Sequence, residues 1–283
     1  MACPGFLRRD VMSMMMLNDD HLRRAAPAVF AQAPHDAVSE RYGFVPTIQV
    51  VNALRDEGWY PVRAQQTNCR DLERVGVARH MIRFRQDPDR QMAVGDSVAE
   101  LVLTNSHDRS SAYQLDLGLF RLICLNGMVT PVGETGGIRV RHGKNVVDEI
   151  LEGSVALVGH VPNIQTAMET FRSLSVDRGE AELFAASALE LRYGDDWQRQ
   201  APIKPENLLE ARRREDAQDQ TLWGAFNKAQ ENLLKGGIRG RSRSGRRTRT
   251  RPIHSVTEDV RLNRALWRLT ERFAKLKGAD LAA

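Results

Sequence analysis

The sequence predicts an α+β protein: an antiparallel sheet followed by long helices, closing in a helix, a basic arm and a second helix. Three observations lead there. Between Arg79 and Val140, apolar residues recur at every second position in short runs separated by polar turns. From Val146 onward the apolar spacing changes to threes and fours, the period of a helix with one buried face. Near the end, the run KGGIRGRSRSGRRTRTRP (Lys235–Pro252) interrupts two such helical seams with eight positive charges and no acid.

Taken in order, residues 1–40 hold three prolines (Pro4, Pro27, Pro34) and no sustained stripe, and read as a loosely structured arm. Pro46 and Thr47 can then open a helix, with Ile48, Val51 and Leu54 on one side and Gly58 as its stop. Trp59 to Val62 begins a strand, and Trp59 and Tyr60 read as core more readily than as base-stacking platforms. His80–Arg85, Val98–Leu103, Ala112–Leu117 and Ile138–Arg141 are the other strand candidates. Leu119–Met128 fits either a strand end or a short helix. Val146–Val158 and Ile164–Leu174 are helical, divided at Pro162, and Glu180–Leu191 is another helix. Leu222, Phe226, Ala229 and Leu233 form one seam, which Gly236-Gly237 ends. Ser255 and Glu258 have capping-box spacing and open a second seam: Leu262, Leu266, Leu269, Phe273 and Leu276. The simplest arrangement packs these two helices antiparallel with the arm at the tip, although such seams could also dock on another subunit. The composition divides the chain into an arm (1–40), an α+β core (41–200) and a helix–arm–helix segment (201–283).

The charge of the arm decides which partners are worth considering. The 283-residue chain carries 41 Lys and Arg against 36 Asp and Glu, a formal +5. Without the arm's eight charges that balance becomes −3. The basicity is therefore concentrated in Lys235, Arg239, Arg241, Arg243, Arg246, Arg247, Arg249 and Arg251, the residues predicted to bind nucleic acid through its phosphates. Arginines fall at every second residue in each half, with Ser242, Ser244, Thr248 and Thr250 between them. An extended chain would put guanidinium groups on one face and hydroxyls on the other, and Ser244-Gly245 offers a turn. A β-hairpin and a disordered linker are equally compatible with this composition. The arm has no aromatic residue, which fits phosphate binding more than base stacking.

Evidence for chemistry is thinner. Asn105, His107, Asp108 and Arg109, with Asp116 and Arg121 downstream, are the candidate for an enzyme acting on nucleic acid. The same residues are what a turn between strands needs, and adjacent His107 and Asp108 on a strand would face opposite ways. His142 and His160 have no metal-ligand spacing, Gly133–Gly137 lacks a phosphate-loop pattern, and Cys124 between Ile123 and Leu125 reads as a buried thiol. Cys3, Cys69 and Cys124 are too few and too scattered for a disulfide framework, so a reducing, cytosolic setting is expected. No cofactor, metal site or catalytic residue is assigned, and no apolar run approaches the roughly 18 residues of a membrane span.

The run LTNSHDRSSAYQLDLGLFRLICLNGMV (Leu103–Val129) resembles the signature of a family of phage- and plasmid-borne proteins known as domain of unknown function number nine-three-two. Tyr42–Thr47 resembles the start of that domain. The Phe226–Asn232 helix, the basic arm and Leu262–Trp267 resemble its end. The likeness implies a mobile-element origin in a bacterial cytoplasm and brings no activity with it. A looser, fold-level analogy links the strand-then-helix order to single-strand-annealing recombination proteins, which assemble into rings or filaments. Together these give the expectation of an oligomeric DNA-binding protein of recombination or replication. The alternatives are an enzyme using the Asn105–His107–Asp108 region and a host-defence inhibitor.

Overall fold

The computed structural model describes residues 16–35, 43–69, 71–86, 93–94, 97–108, 110–121, 126–129 and 137–281. The fold is α+β, as the sequence predicts, and it forms two compact units, 1–161 and 162–283.

Unit 1 is built on a sheet whose strands run in the order β1-β2-β4-β5-β6, with β3 added to β4 and β7 to β5. The strands are β1 (Trp59–Gln66), β2 (His80–Gln86), β3 (Ala93–Val94), β4 (Ser97–Asn105), β5 (Tyr113–Arg121), β6 (Asn126–Val129) and β7 (Ile138–Val140), and every pairing is antiparallel. Register sets the two faces. His80 lies opposite Asn105, Ile82 opposite Leu103 and Phe84 opposite Leu101. Leu101 and Leu103 in turn face Leu117 and Leu115. This is the apolar face. Helices α2 (Thr47–Asp56) and α3 (Val146–Val158) complete the core with Val50, Val51, Leu54, Val146 and Ile150, all buried.

The other face carries Arg83, Arg85, Glu100 and Asp116, and these are buried as well. Glu100 accepts from Arg83 Nη1 at 3.1 Å and from Arg85 Nε at 2.7 Å. Buried carboxylates and guanidinium groups are tolerable only when paired in this way.

Residues 16–30 differ from the loose arm that the sequence suggests. Helix α1 (Asp19–Ala25) is capped by the Asn18 side chain, which accepts from His21 N–H at 2.9 Å, and Pro27 opens a 3-10 turn to Phe30. Leu22, Ala26, Ala28 and Val29 are fully buried. One short helix contributes too few apolar residues to register as a stripe. Two strands are also new: β3 and β6 are too short to show alternation. Leu119–Arg121 continues β5, whereas Cys124 and Gly133–Gly136 lie outside the described residues.

Unit 2 holds most of α4 (Val161–Ser173), then α5 (Arg178–Tyr193), α6 (Leu222–Lys235) and α7 (Val256–Leu276). Pro162 sits in the first turn of α4, where its missing N–H costs nothing. The predicted seams bury their side chains here. Phe226 meets Trp267 edge to face, Phe184 meets Phe273, and Gln230 Nε2 donates to Asn263 Oδ1 at 3.0 Å. The pairings 226 with 267 and 230 with 263 make α6 and α7 antiparallel. Each buried aromatic or aliphatic side chain contributes about 1.5–3 kcal/mol relative to exposure. The exceptions are Leu269, which is half-buried, and Leu276, which is 84 % exposed.

Candidate nucleic-acid interface

The basic arm is a β-hairpin. Strand β8 (Arg239–Arg241) pairs antiparallel with β9 (Arg247–Arg249). A three-residue loop, Arg243-Ser244-Gly245, joins them. Ser242 O accepts from Gly245 N–H and Ser242 N–H donates to Arg246 O, both at 2.8 Å. Gly245 has φ 79°, the left-handed conformation that three-residue hairpin loops require and glycine supplies at least cost.

Register then gathers the arginines. Arg239 faces Arg249, Gly240 faces Thr248 and Arg241 faces Arg247, so four guanidinium side chains share one face. Ser242 N–H to Arg246 O and Thr250 N–H to Ile238 O (2.9 Å) are ladder bonds. Such bonds fall on alternate pairs. They therefore put Gly240–Thr248 in the bonded class and both arginine pairs in the non-bonded class, where facing side chains are closest. The opposite face sits on the chain at Pro202 and Ile203. A Cβ on Gly240 would lie 1.9 Å from Pro202 O, and Arg241 N–H donates to that oxygen at 2.8 Å. Only glycine fits there, and the close approach turns the arginine face outward.

The hairpin's base is tied down. Gly237 N–H donates to Thr250 O at 2.8 Å, Ile238 N–H to the Thr250 hydroxyl at 3.0 Å and Ile253 N–H to Leu234 O at 2.9 Å. The Arg212 guanidinium donates to Gly236 O and to Asn232 Oδ1. The arm is therefore a fixed projection from α6 and α7.

All eight predicted residues are exposed, but they are not equivalent. Lys235 lies 2.8 Å from Glu231, which also pairs with Arg213, and these cations hold the Glu231 carboxyl below its ordinary range. Arg239, Arg241, Arg243, Arg246, Arg247, Arg249 and Arg251 form no ion pair among the described residues. Seven uncompensated charges remain, four of them on one face.

The enzyme candidate resolves differently. Asn105 ends β4, and Ser106–Asp108 and Ser110–Ala112 lie between it and β5, whereas Arg109 lies outside the described residues. Asp108 points to its own turn, where Oδ1 accepts from Ser110 N–H at 2.9 Å and these local bonds lower its pKa. His107 goes inward to the Thr47 hydroxyl, on which His80, Asn105 and Tyr113 also converge. No sequence pattern joins Thr47, His80 and Tyr113 to Asn105 and His107, because they come from α2, β2, β4, β5 and the turn. The Thr47 hydroxyl lies 2.9 Å from His80 Nε2, 3.1 Å from His107 Nε2 and 3.1 Å from Asn105 Nδ2.

The protons can be assigned. His80 Nδ1 faces the Ala78 carbonyl at 2.9 Å and must donate, so Nε2 accepts from Thr47. Tyr113 gives its proton to Val45 O at 2.8 Å. Thr47 then accepts from Asn105 and from His107 Nε2–H, leaving the lone pairs of His107 Nδ1 and Asn105 Oδ1 without a donor. Burial pushes His80 down to about 4 and His107 to about 3. A hydroxyl beside an imidazole base is the geometry of a nucleophile. Here Thr47, His80, Asn105, His107 and Tyr113 are fully buried, and no substrate reaches the hydroxyl in this conformation. Among the described residues, no group of three or more His, Cys, Asp or Glu is placed to hold a metal ion. No helix among them is long and apolar enough to cross a membrane.

Comparison with known proteins adds the family. The model of the domain of unknown function DUF932 matches residues 34–267. The chain belongs to that family. The match takes in the hairpin and the buried polar group, begins eight residues before the expected Tyr42 and stops at Trp267. Two Escherichia coli (strain K12) proteins, UPF0380 protein YfjQ and UPF0380 protein YafZ, are each 38% identical to this chain over 268 residues. The similarity covers 94% of this chain and 93% of each of them. No solved structure matches the chain.

Proposed function

We propose that this DUF932 protein binds nucleic acid, DNA in preference, and that the arginine hairpin is its binding element. One observation carries the proposal: Arg239, Arg241, Arg247 and Arg249 form an outward face of two directly opposed like-charge pairs with no acid beside them. Opposed like charges destabilise a hairpin, so this face is costly unless a polyanion neutralises it. The mobile-element resemblance fits a role in recombination or replication, single-strand annealing included. The seams of α6 and α7, which suggested a homo-oligomer, are largely used within unit 2 and no longer argue for one.

The test is binding over a salt series. Each neutralised phosphate releases a counterion, so log affinity falls with log salt by about 0.9 per contact on duplex and about 0.7 on single strands. Four to six arginines give a slope of about −3 to −5. Replacing Arg239, Arg241, Arg243, Arg247, Arg249 and Arg251 by Gln should abolish most of the affinity and flatten the slope. An unchanged affinity and slope would refute the proposal. Tight binding to a host protein without affinity for nucleic acid would favour a host-defence inhibitor instead.

A further inference from the structure

We infer that the hairpin enters the major groove of B-form DNA as a two-stranded ribbon, so that the preferred ligand is duplex rather than single-stranded. This deepens the nucleic-acid reading and rests on it. The first observation is shape. The hairpin is one antiparallel pair, its strands about 4.8 Å apart, held out from a fixed base, and the major groove admits a ribbon of this kind. The narrow major groove of an RNA duplex does not.

The second observation is what the ribbon presents. Its exposed face holds only guanidinium groups, the side chain best suited to the N7 and O6 atoms of guanine. It has no aromatic residue from Ile238 to Arg251, whereas single-strand binding relies on aromatic stacking platforms. The third observation is the edge. In non-bonded pairs the backbone groups point away from the partner strand. On β8 this direction is occupied, since Arg241 N–H meets Pro202 O. On β9 the N–H groups of Arg247 and Arg249 point outward and have no partner among the described residues. A ribbon in the groove would direct its arginine face to the base edges and this open edge to the phosphates of one wall.

The experiment uses the full chain and four probes of one sequence: a DNA duplex, its two separate strands, an RNA duplex, and a DNA duplex with 7-deazaguanine for guanine. The DNA duplex should bind about tenfold more tightly than the single strands or the RNA duplex, and removing N7 should weaken it about tenfold. The Arg241→Gln/Arg247→Gln double variant, with circular dichroism to confirm its fold, should lose the response to 7-deazaguanine. Equal or tighter binding to single strands, or indifference to 7-deazaguanine, overturns groove entry while leaving nucleic-acid binding intact. Failure of every probe at low salt overturns both readings.

Discussion

Strands β2 and β8 both carry arginine at every second residue, and the structure uses them in opposite ways. Arg83 and Arg85 are buried, and the neighbouring strand brings Glu100 to both of them. Arg239 and Arg241 are exposed, and the neighbouring strand brings Arg249 and Arg247. Local sequence and local conformation are alike; the partner strand makes the difference. Where an acid arrives, the charge is neutralised inside the protein and serves the fold. Where another cation arrives, neutralisation must come from outside. Exposure alone would be a weak argument for a ligand, since surface arginines are common. Exposure of directly opposed like charges is stronger, because the hairpin bears a repulsion there that salt screens only in part and a bound polyanion would relieve.

The largest effect expected from disturbing this contrast is on the buried side. Glu100→Gln keeps shape and hydrogen-bonding capacity but leaves two guanidinium groups without their shared counter-charge. Removing one member of a buried ion pair costs about 3–5 kcal/mol. Chemical denaturation should show that loss in unit 1, while the folded fraction binds nucleic acid as before. A neutral substitution would mean that Arg83 and Arg85 do not depend on Glu100, and the contrast between the two arginine sets would fail.

Thr47→Val tests the other buried polar group. The change is nearly isosteric, yet it strands His80 Nε2, His107 Nε2–H and the Asn105 amide together, at about 2–4 kcal/mol for the unmet groups. If the hydroxyl is structural, stability falls and nucleic-acid binding by the folded protein does not. A stable variant that loses an activity would move the site to Thr47.

These two substitutions also mark what the sequence could not reveal. The main strands were legible because His80–Arg85, Val98–Leu103 and Ala112–Leu117 alternate, and the long helices because Leu222–Leu233 and Leu262–Phe273 keep a seam. The hairpin was legible in its charge and in Ser244-Gly245, though a linker fitted the same letters. Which residues meet was not legible. Thr47 and Tyr113 stand 66 positions apart and come together only where α2 meets the sheet. Glu100 reads as one polar residue in an apolar strand until β2 is laid beside it.

A smaller effect follows from the histidines. Burial lowers His80 from 6.5 to about 4 and His107 to about 3. Above pH 6.5 both are neutral, folded or unfolded, and contribute no pH dependence. As pH falls below 6.5, the unfolded chain takes up protons that the folded chain refuses, and stability drops until the folded values are reached. From pH 7 to 5.5 this amounts to about 1 kcal/mol for each histidine. Amide exchange in β2 and β4 should accelerate over it, and exchange in α6 and α7 should not follow. A flat profile in β2 would mean that the imidazoles accept protons in place.

The smallest effect has the most informative sign. Arg249→Gln removes one cation from the Arg239–Arg249 pair and disturbs no hydrogen bond or ion pair of its side chain among the described residues. If the arginine face is held against its own repulsion, the variant should be more stable, by about 0.2–1 kcal/mol, the usual range for cross-strand pairs. Its affinity for duplex should fall, with the salt slope shallower by about 0.9 for the lost phosphate contact, or with guanine preference weakened if the contact is to a base. Stability and binding would then move in opposite directions on one substitution. A structural arginine would lose both together, and an idle one would change neither. Thermal melts of the parent and the variant at low salt, where repulsion is least screened, give the clearest reading. Adding duplex to the same melts should reverse the order, because the parent gains more from binding than the variant does.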